Sequence, residues 1–135
     1  LQTALAQSIN TVAARLANEV GNSNVAATAR RLGITSKIQL DPSMALGAVE
    51  VSPLEMAQAY ARFANGGFLA KGYGIERIRT ASGKVLYDHS VDRQPRPSVI
   101  GSPSLQYMNQ MMRQVVTGGT GGRAKVAGAR EQAAD

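Results

Sequence analysis

The 135 residues carry 15 Lys or Arg against 9 Asp or Glu, a net charge of +6, and are 44% hydrophobic but only 4% aromatic, with no Trp and no Cys. That length predicts one domain or a piece of a larger one; the missing Cys excludes a disulfide framework and thiolate metal sites. No apolar run approaches a membrane span and no signal-peptide pattern is present, so the chain reads as soluble, without membrane contact.

The first predicted element is an amphipathic helical region over much of Gln2–Val20, where Leu5, Ile9, Val12, Leu16 and Val20 recur at helical spacing. Gly21 and Asn22 are expected to end it, and Ser23 or Asn24 to cap a short helix that runs through Arg31-Leu32 and stops at Gly33. A connector with a turn at Asp41-Pro42-Ser43 follows. The next helix has both ends written in sequence. Ser52 suits the N-cap, Pro53 the first helical position, and Glu55 completes a capping box. Leu54, Ala57, Ala61 and Ala64 share one face, flanked by Tyr60 and Phe63, and Asn65-Gly66-Gly67 supplies a left-handed stop.

Beyond Gly67, Ile75–Thr80 and Lys84–Tyr87 form short β-type runs around Ala81-Ser82-Gly83, which predicts a hairpin. The only histidine, His89, lies beside Asp88 in a polar stretch and reads as a surface residue. Asp92–Pro97 is polar and reads as an exposed linker. Ser102-Pro103 opens a helix that turns Leu105, Met108, Met111, Met112, Val115 and Val116 inward. Clustered Met can make a pliable groove, but this spacing favours helix core. Thr117–Gly122 breaks that helix into a flexible loop.

Two constellations could carry chemistry. In Ser8-Ile9-Asn10 a hydroxyl and a carboxamide two residues apart at a helix start can relay a proton and orient a substrate carbonyl; simple helix capping is the competing use. The Gly-rich loop Thr117–Arg123 could cradle phosphate, but Gly-Lys-Ser/Thr is missing and Gly119-Thr120-Gly121 lacks the third glycine of a dinucleotide fingerprint. The cations are scattered and aromatics to stack bases are few, so no nucleic-acid partner is expected.

The string Ala45-Leu-Gly…Glu50-Val-Ser-Pro-Leu-Glu-Met-Ala57…Ala59-Tyr…Phe63-Ala-Asn-Gly-Gly67 resembles the transpeptidase domain of class A penicillin-binding proteins. So does Ala4-Leu-Ala-Gln-Ser-Ile-Asn-Thr-Val-Ala-Ala14, which looks like that family's Ser-x-Asn motif with its surroundings, one of three alongside Ser-x-x-Lys and Lys-Thr-Gly. The similarity continues through Ala26–Ile34, Ile75–Tyr87 and Val115–Gly128. It implies an α+β fold, predominantly helical: the helical lobe of a penicillin-binding/β-lactamase-like domain with one hairpin. It also implies that Ser8 belongs to a proton-transfer network and that Asn10 binds the substrate amide. Gly119, Thr120 and Gly121 would then bind substrate, on the approach to the Lys-Thr-Gly strand.

On this resemblance residues 1–135 are a partial transpeptidase domain of a bifunctional peptidoglycan synthase. Its partners would be peptidoglycan stem peptides and β-lactams, its place the outer, periplasmic face of the bacterial cytoplasmic membrane, and its cofactors none. No Ser-x-x-Lys occurs in the chain, and Ala129-Arg130-Glu131 stand where Lys-Thr-Gly is expected, so residues 129–135 form a tail that departs from the pattern. The start at Leu1 rather than Met fits a fragment. The chain alone is therefore expected to be inactive, and its unpartnered helix faces to self-associate. The alternative is a non-catalytic basic helical module for an anionic partner.

Overall fold

The computed structural model describes residues 1–92 and 97–126. Helices α1 (Gln2–Ala6), α2 (Asn10–Val20) and α3 (Asn22–Arg31) come first, followed by a 3-10 turn at Pro42–Leu46 and by α4 (Pro53–Ala64). Strands β1 (Arg77–Arg79) and β2 (Val85–Asp88), the short α5 (His89–Asp92), α6 (Ser102–Gly118) and a 3-10 turn at Gly122–Ala124 complete the order. The result is the expected α+β arrangement, a helical lobe with one small antiparallel sheet. No described helix is long and apolar enough to cross a membrane.

The Gln2–Val20 region is two helices rather than one, broken at Gln7–Ile9. Gly21, at φ 90°, both ends α2 and precedes α3, so Ser23 and Asn24 fall inside the first turn of α3 instead of capping it. Asn24 Nδ2 donates back to Val20 O at 2.8 Å, tying the two helices at their corner. The predicted turn at Asp41 extends into the 3-10 helix, with the Asp41 carboxylate accepting from Ser43 N at 2.8 Å.

α4 begins as its sequence requires. Ser52 Oγ accepts from Glu55 N and the Glu55 carboxylate accepts from Ser52 N, both at 3.1 Å, and Pro53 fills the first helical position. The inward face differs from the expected one. Ala59 and Arg62 are buried, whereas Leu54 is 62% exposed and Ala57 and Ala64 are open. The reason is Glu55, which shares a face with Ala59 and Arg62 and is anchored to the segment after α3. Its carboxylate accepts from Thr35 N and Oγ1 at 2.6 Å, from Ser36 N at 2.9 Å and from Ser36 Oγ at 2.6 Å. These bonds fix the rotation of α4 about its axis.

The same hydrogen bonds, from Ser36 first and then Thr35 and Ser52, hold the Glu55 carboxyl far below the ordinary carboxylate range. A depressed carboxylate contributes its stability in full above its unfolded pKa of about 4.3, and loses it as pH falls toward the folded value. Glu55→Gln is expected to lower the unfolding midpoint by several degrees at pH 7. The gap from the parent chain should narrow steadily below about pH 4. Thermal melts of both chains from pH 7 to 2.5 check this; a pH-independent gap would contradict it.

The core is small. Ala26, Ile34, Ile38 and Ala59 form its buried centre, with Ala29, Leu32, Met44, Val49 and Val51 packed around them. With so few aromatics, alanine sets close helix approach. α6 lies against α4 and α1, and all six residues expected to face inward from it are half-buried. Asn109 Nδ2 donates to Phe63 O at 2.9 Å, satisfying a carbonyl in the last turn of α4. The chain entering α6 pairs with the exit of α4 through a Phe68–Ser98 bridge.

In the hairpin Arg77 faces Asp88 and Ile78 faces Tyr87, with a bulge after Ile78. Arg77 Nε meets Asp88 Oδ2 at 2.6 Å. His89 is less open than its surroundings in sequence suggest. Its ring stacks on Tyr73 at 3.5 Å between centroids and its Nδ1 meets Tyr87 Oη at 3.0 Å, closing the base of the hairpin. The expected linker at Asp92–Pro97 lies largely outside the described residues.

Candidate active-site cradle

Three helix ends in this lobe turn out through a left-handed residue whose following amide reaches back five residues to a helical carbonyl, the outer bond of a Schellman turn. At the end of α3, Gly33 N donates to Arg30 O and Ile34 N to Ala29 O, with Gly33 at φ 95°. At the end of α4, Gly67 N donates to Arg62 O with Gly66 at φ 82°. At the end of α1, Ser8 N donates to Leu5 O at 3.1 Å and Ile9 N to Ala4 O at 2.9 Å. The left-handed residue there is Ser8, at φ 54°, the one non-glycine with positive φ among the described residues. A serine in this conformation costs on the order of 1–2 kcal/mol that glycine would not.

That turn aims the Ser8-Ile9-Asn10 triplet. Asn10 opens α2, and neither residue caps it: the N-cap position is Ile9 and no side chain bonds there. Among the described residues the Ser8 hydroxyl and the Asn10 carboxamide make no hydrogen bond, and both are exposed. Both border one open groove of about 380 Å³, otherwise walled by apolar residues such as Leu5, Leu16, Leu46, Met108 and Met111.

The glycine-rich loop docks against the same turn. Thr120 N donates to Ala6 O at 3.0 Å, Gly121 N to Val115 O at 3.0 Å, and Gln7 Nε2 to Gly118 O at 3.2 Å, a pair 111 residues apart in the chain. Gly119 lies so close to Ala6 O that a side chain has no room. The segment expected to be a flexible loop is thus pinned at three points, by two backbone bonds and one bond from the Gln7 side chain. Gly119 and Thr120 meet the turn at Ala6, and Gln7 holds Gly118; none of Gly119, Thr120 and Gly121 lines the groove bordered by Ser8 and Asn10. Sequence reasoning did not find Ala6 and Gln7, whose role is a tertiary pairing with no local signal. The Ala129-Arg130-Glu131 departure and the 129–135 tail lie outside the described residues.

An exposed hydroxyl and carboxamide on one turn, with a glycine loop fastened behind them, offer donors and acceptors to a polar group in the groove. The profile of the family described as "Penicillin binding protein transpeptidase domain" matches residues 1–133. The chain belongs to that family. It is 38% identical over 128 residues to penicillin-binding protein 1A of Aquifex aeolicus, covering 93% of this chain and 17% of the relative. It is 36% identical over 119 residues to penicillin-binding protein 2a of Streptococcus pneumoniae, covering 87% and 16%. The crystal structure of penicillin-binding protein 1A from Haemophilus influenzae superposes with a TM-score of 0.79 at 28% identity, over 91% of this chain and 24% of that one. The chain is therefore a segment of the class A transpeptidase domain, spanning under a fifth of the length of the first two relatives.

Proposed function

We propose that this lobe supplies the Ser-x-Asn wall of a D,D-transpeptidase cleft that cross-links peptidoglycan stem peptides and binds β-lactams. It would act on the outer face of the bacterial cytoplasmic membrane as part of a bifunctional synthase. The strained Ser8 turn carries the reading: two equivalent helix ends use glycine, and only the one beside the glycine loop uses a hydroxyl-bearing residue. Strain retained at one position is a mark of use rather than of stability.

In this reading Ser8 Oγ accepts and passes on the proton that moves between the attacking serine and the leaving amine. The serine nucleophile comes from a Ser-x-x-Lys that these 135 residues do not contain. The Asn10 amide donates to the carbonyl of the bound stem peptide or β-lactam and holds it against rotation. The loop Gly119–Gly121 braces the turn from behind through the Thr120–Ala6 bond. No cofactor is required for this acyl transfer.

Fluorescent penicillin followed by denaturing electrophoresis tests the proposal. The 135-residue chain alone is expected to give no labelled band. In the longer protein Asn10→Ala is expected to slow acylation roughly 100-fold. Ser8→Gly is expected to slow acylation likewise while stabilising the lobe by about 1 kcal/mol in urea. Unchanged acylation in Asn10→Ala, or a labelled band from the chain alone, would overturn the assignment. The open apolar face of α1 and α2, with Leu1, Leu5, Ile9, Leu16 and Val20 all exposed, also supports self-association of the isolated chain. Size exclusion at rising concentration should show an earlier elution; a strictly monomeric profile argues against it.

A further inference from the structure

The Ser8-Ile9-Asn10 triplet straddles a joint in the lobe. On one side α1 packs on α6; on the other α2 packs on the 3-10 turn at Pro42–Leu46 and on α3. α1 has five residues, too few to hold its own end, and the Ser8 backbone beyond it is strained at φ 54°. Such a turn persists only where its surroundings over-determine it. The last tie to α6 before Ser8 is the Gln7 side chain, whose Nε2 donates to Gly118 O at 3.2 Å. We propose that Gln7 is a positioning residue for acylation: its amide, held on Gly118, fixes the Ser8 hydroxyl without touching substrate.

The bond also meets a need of α6. Gly118 is the last residue of that helix, so its carbonyl has no further intrahelical amide to accept from. Among the described residues Gln7 is the donor it has. Gln7 closes α1 at φ −97°, and it is not among the residues that line the groove bordered by Ser8 and Asn10. The bond is exposed to solvent, which keeps its net contribution to folding small. Its removal loosens one turn and leaves the lobe folded.

The consequence rests on the transpeptidase reading. There the attacking serine Oγ bonds to the β-lactam carbonyl carbon and the lactam C–N bond breaks. The serine proton reaches the lactam nitrogen by way of Ser8 Oγ. Such a relay depends steeply on where the hydroxyl stands. Asn10, which holds the amide, belongs to α2 and is kept in place by the 3-10 turn and α3. Loss of the Gln7 bond therefore slows acylation and spares the non-covalent complex that precedes it.

Gln7→Met keeps the length of the side chain and removes the donor. In the longer protein it is expected to lower the acylation rate constant for fluorescent penicillin roughly tenfold. The dissociation constant of the non-covalent complex and the final labelled fraction should not change. Gln7→Lys restores a donor, and a cation suits the C-terminal end of α6, so most of the rate should return. Gln7→Glu should be slow at pH 7, where a carboxylate has no proton to donate. Its rate relative to the parent should rise as pH falls toward about 4.3. In the 135-residue chain, Gln7→Met should speed amide exchange at Ile9 and Thr120 ahead of the α2 interior. An unchanged rate in Gln7→Met, a smaller labelled fraction at unchanged rate, equal slowing by Met and Lys, or unaltered exchange at both amides would overturn the proposal. Asn10→Ala separates it from the reading beneath it. Slowing by Asn10→Ala but not by Gln7→Met defeats the Gln7 assignment alone, whereas slowing by neither defeats the transpeptidase assignment.

Discussion

Gly119→Ala is expected to lower the stability of the lobe by ~1–3 kcal/mol and to undock the glycine loop from the Ser8 turn. The added carbon would run into Ala6 O, with Ala6 C and Val115 O each 2.9 Å away. All three are backbone atoms, so no side-chain rotation relieves the clash. Gly119 has φ −118°, an ordinary extended conformation, and the effect is therefore steric alone. The loop can escape only by withdrawing from α1. Withdrawal breaks the Thr120–Ala6 bond of 3.0 Å and the Gln7–Gly118 bond of 3.2 Å. Urea unfolding should show the loss of stability, and amide exchange should show Thr120 losing protection ahead of the α6 interior. Gly118→Ala is the control, because a Cβ there meets nothing within 4 Å and the variant should be near neutral. Equal behaviour of the two variants would contradict the docking argument. In the longer protein, Gly119→Ala should slow acylation as well, since the loop would no longer hold the turn that carries Ser8 and Asn10.

What the sequence made legible here was local chemistry. The Ser52–Glu55 capping box, the glycine stops at Gly33 and Gly66-Gly67, the hairpin around Gly83 and the inward stripe of α6 depend on residues within a few positions of each other. The break at Ser8 escaped pattern reading because serine gives no left-handed signal and the apolar spacing continues across it. Glu55 was legible as a cap but not as the anchor for Thr35 and Ser36, some 20 residues away. That anchor decides which face of α4 turns inward. A helical wheel ranks faces by hydrophobicity, and it favoured Leu54, Ala57, Ala61 and Ala64 over a face containing Glu55 and Arg62. The site divides along the same line. Ser8 and Asn10 were visible through a family pattern, whereas the fastening of Gly118–Thr120 onto Ala6 and Gln7 is a tertiary pairing that no local window contains.

Arg62 gives the second large effect, through Gly33. Its side chain is 3% exposed, yet among the described residues no carboxylate pairs with it. Its Nη1 donates to Arg31 O, a carbonyl in the last turn of α3, where the helix end carries partial negative charge. Burial draws its pKa below the ordinary arginine value, and among the described residues the Nε has no hydrogen-bond partner. The guanidinium fits because Gly33 lies over it with no side chain: a Cβ there would overlap Nη2 and stand 3.0 Å from Cζ. Gly33 also holds φ 95°, so alanine is strained at that position even without the collision. Gly33→Ala is expected to cost ~2–4 kcal/mol, the sum of left-handed strain and displacement of the buried cation. A double-mutant cycle separates the two. Arg62→Ala removes the group that the new methyl strikes, so Gly33→Ala should cost less in that background, by about 1 kcal/mol or more. The residue of the cost is the backbone strain. If the two substitutions add without interaction in urea unfolding, the guanidinium is not what Gly33 makes room for, and strain alone explains the glycine.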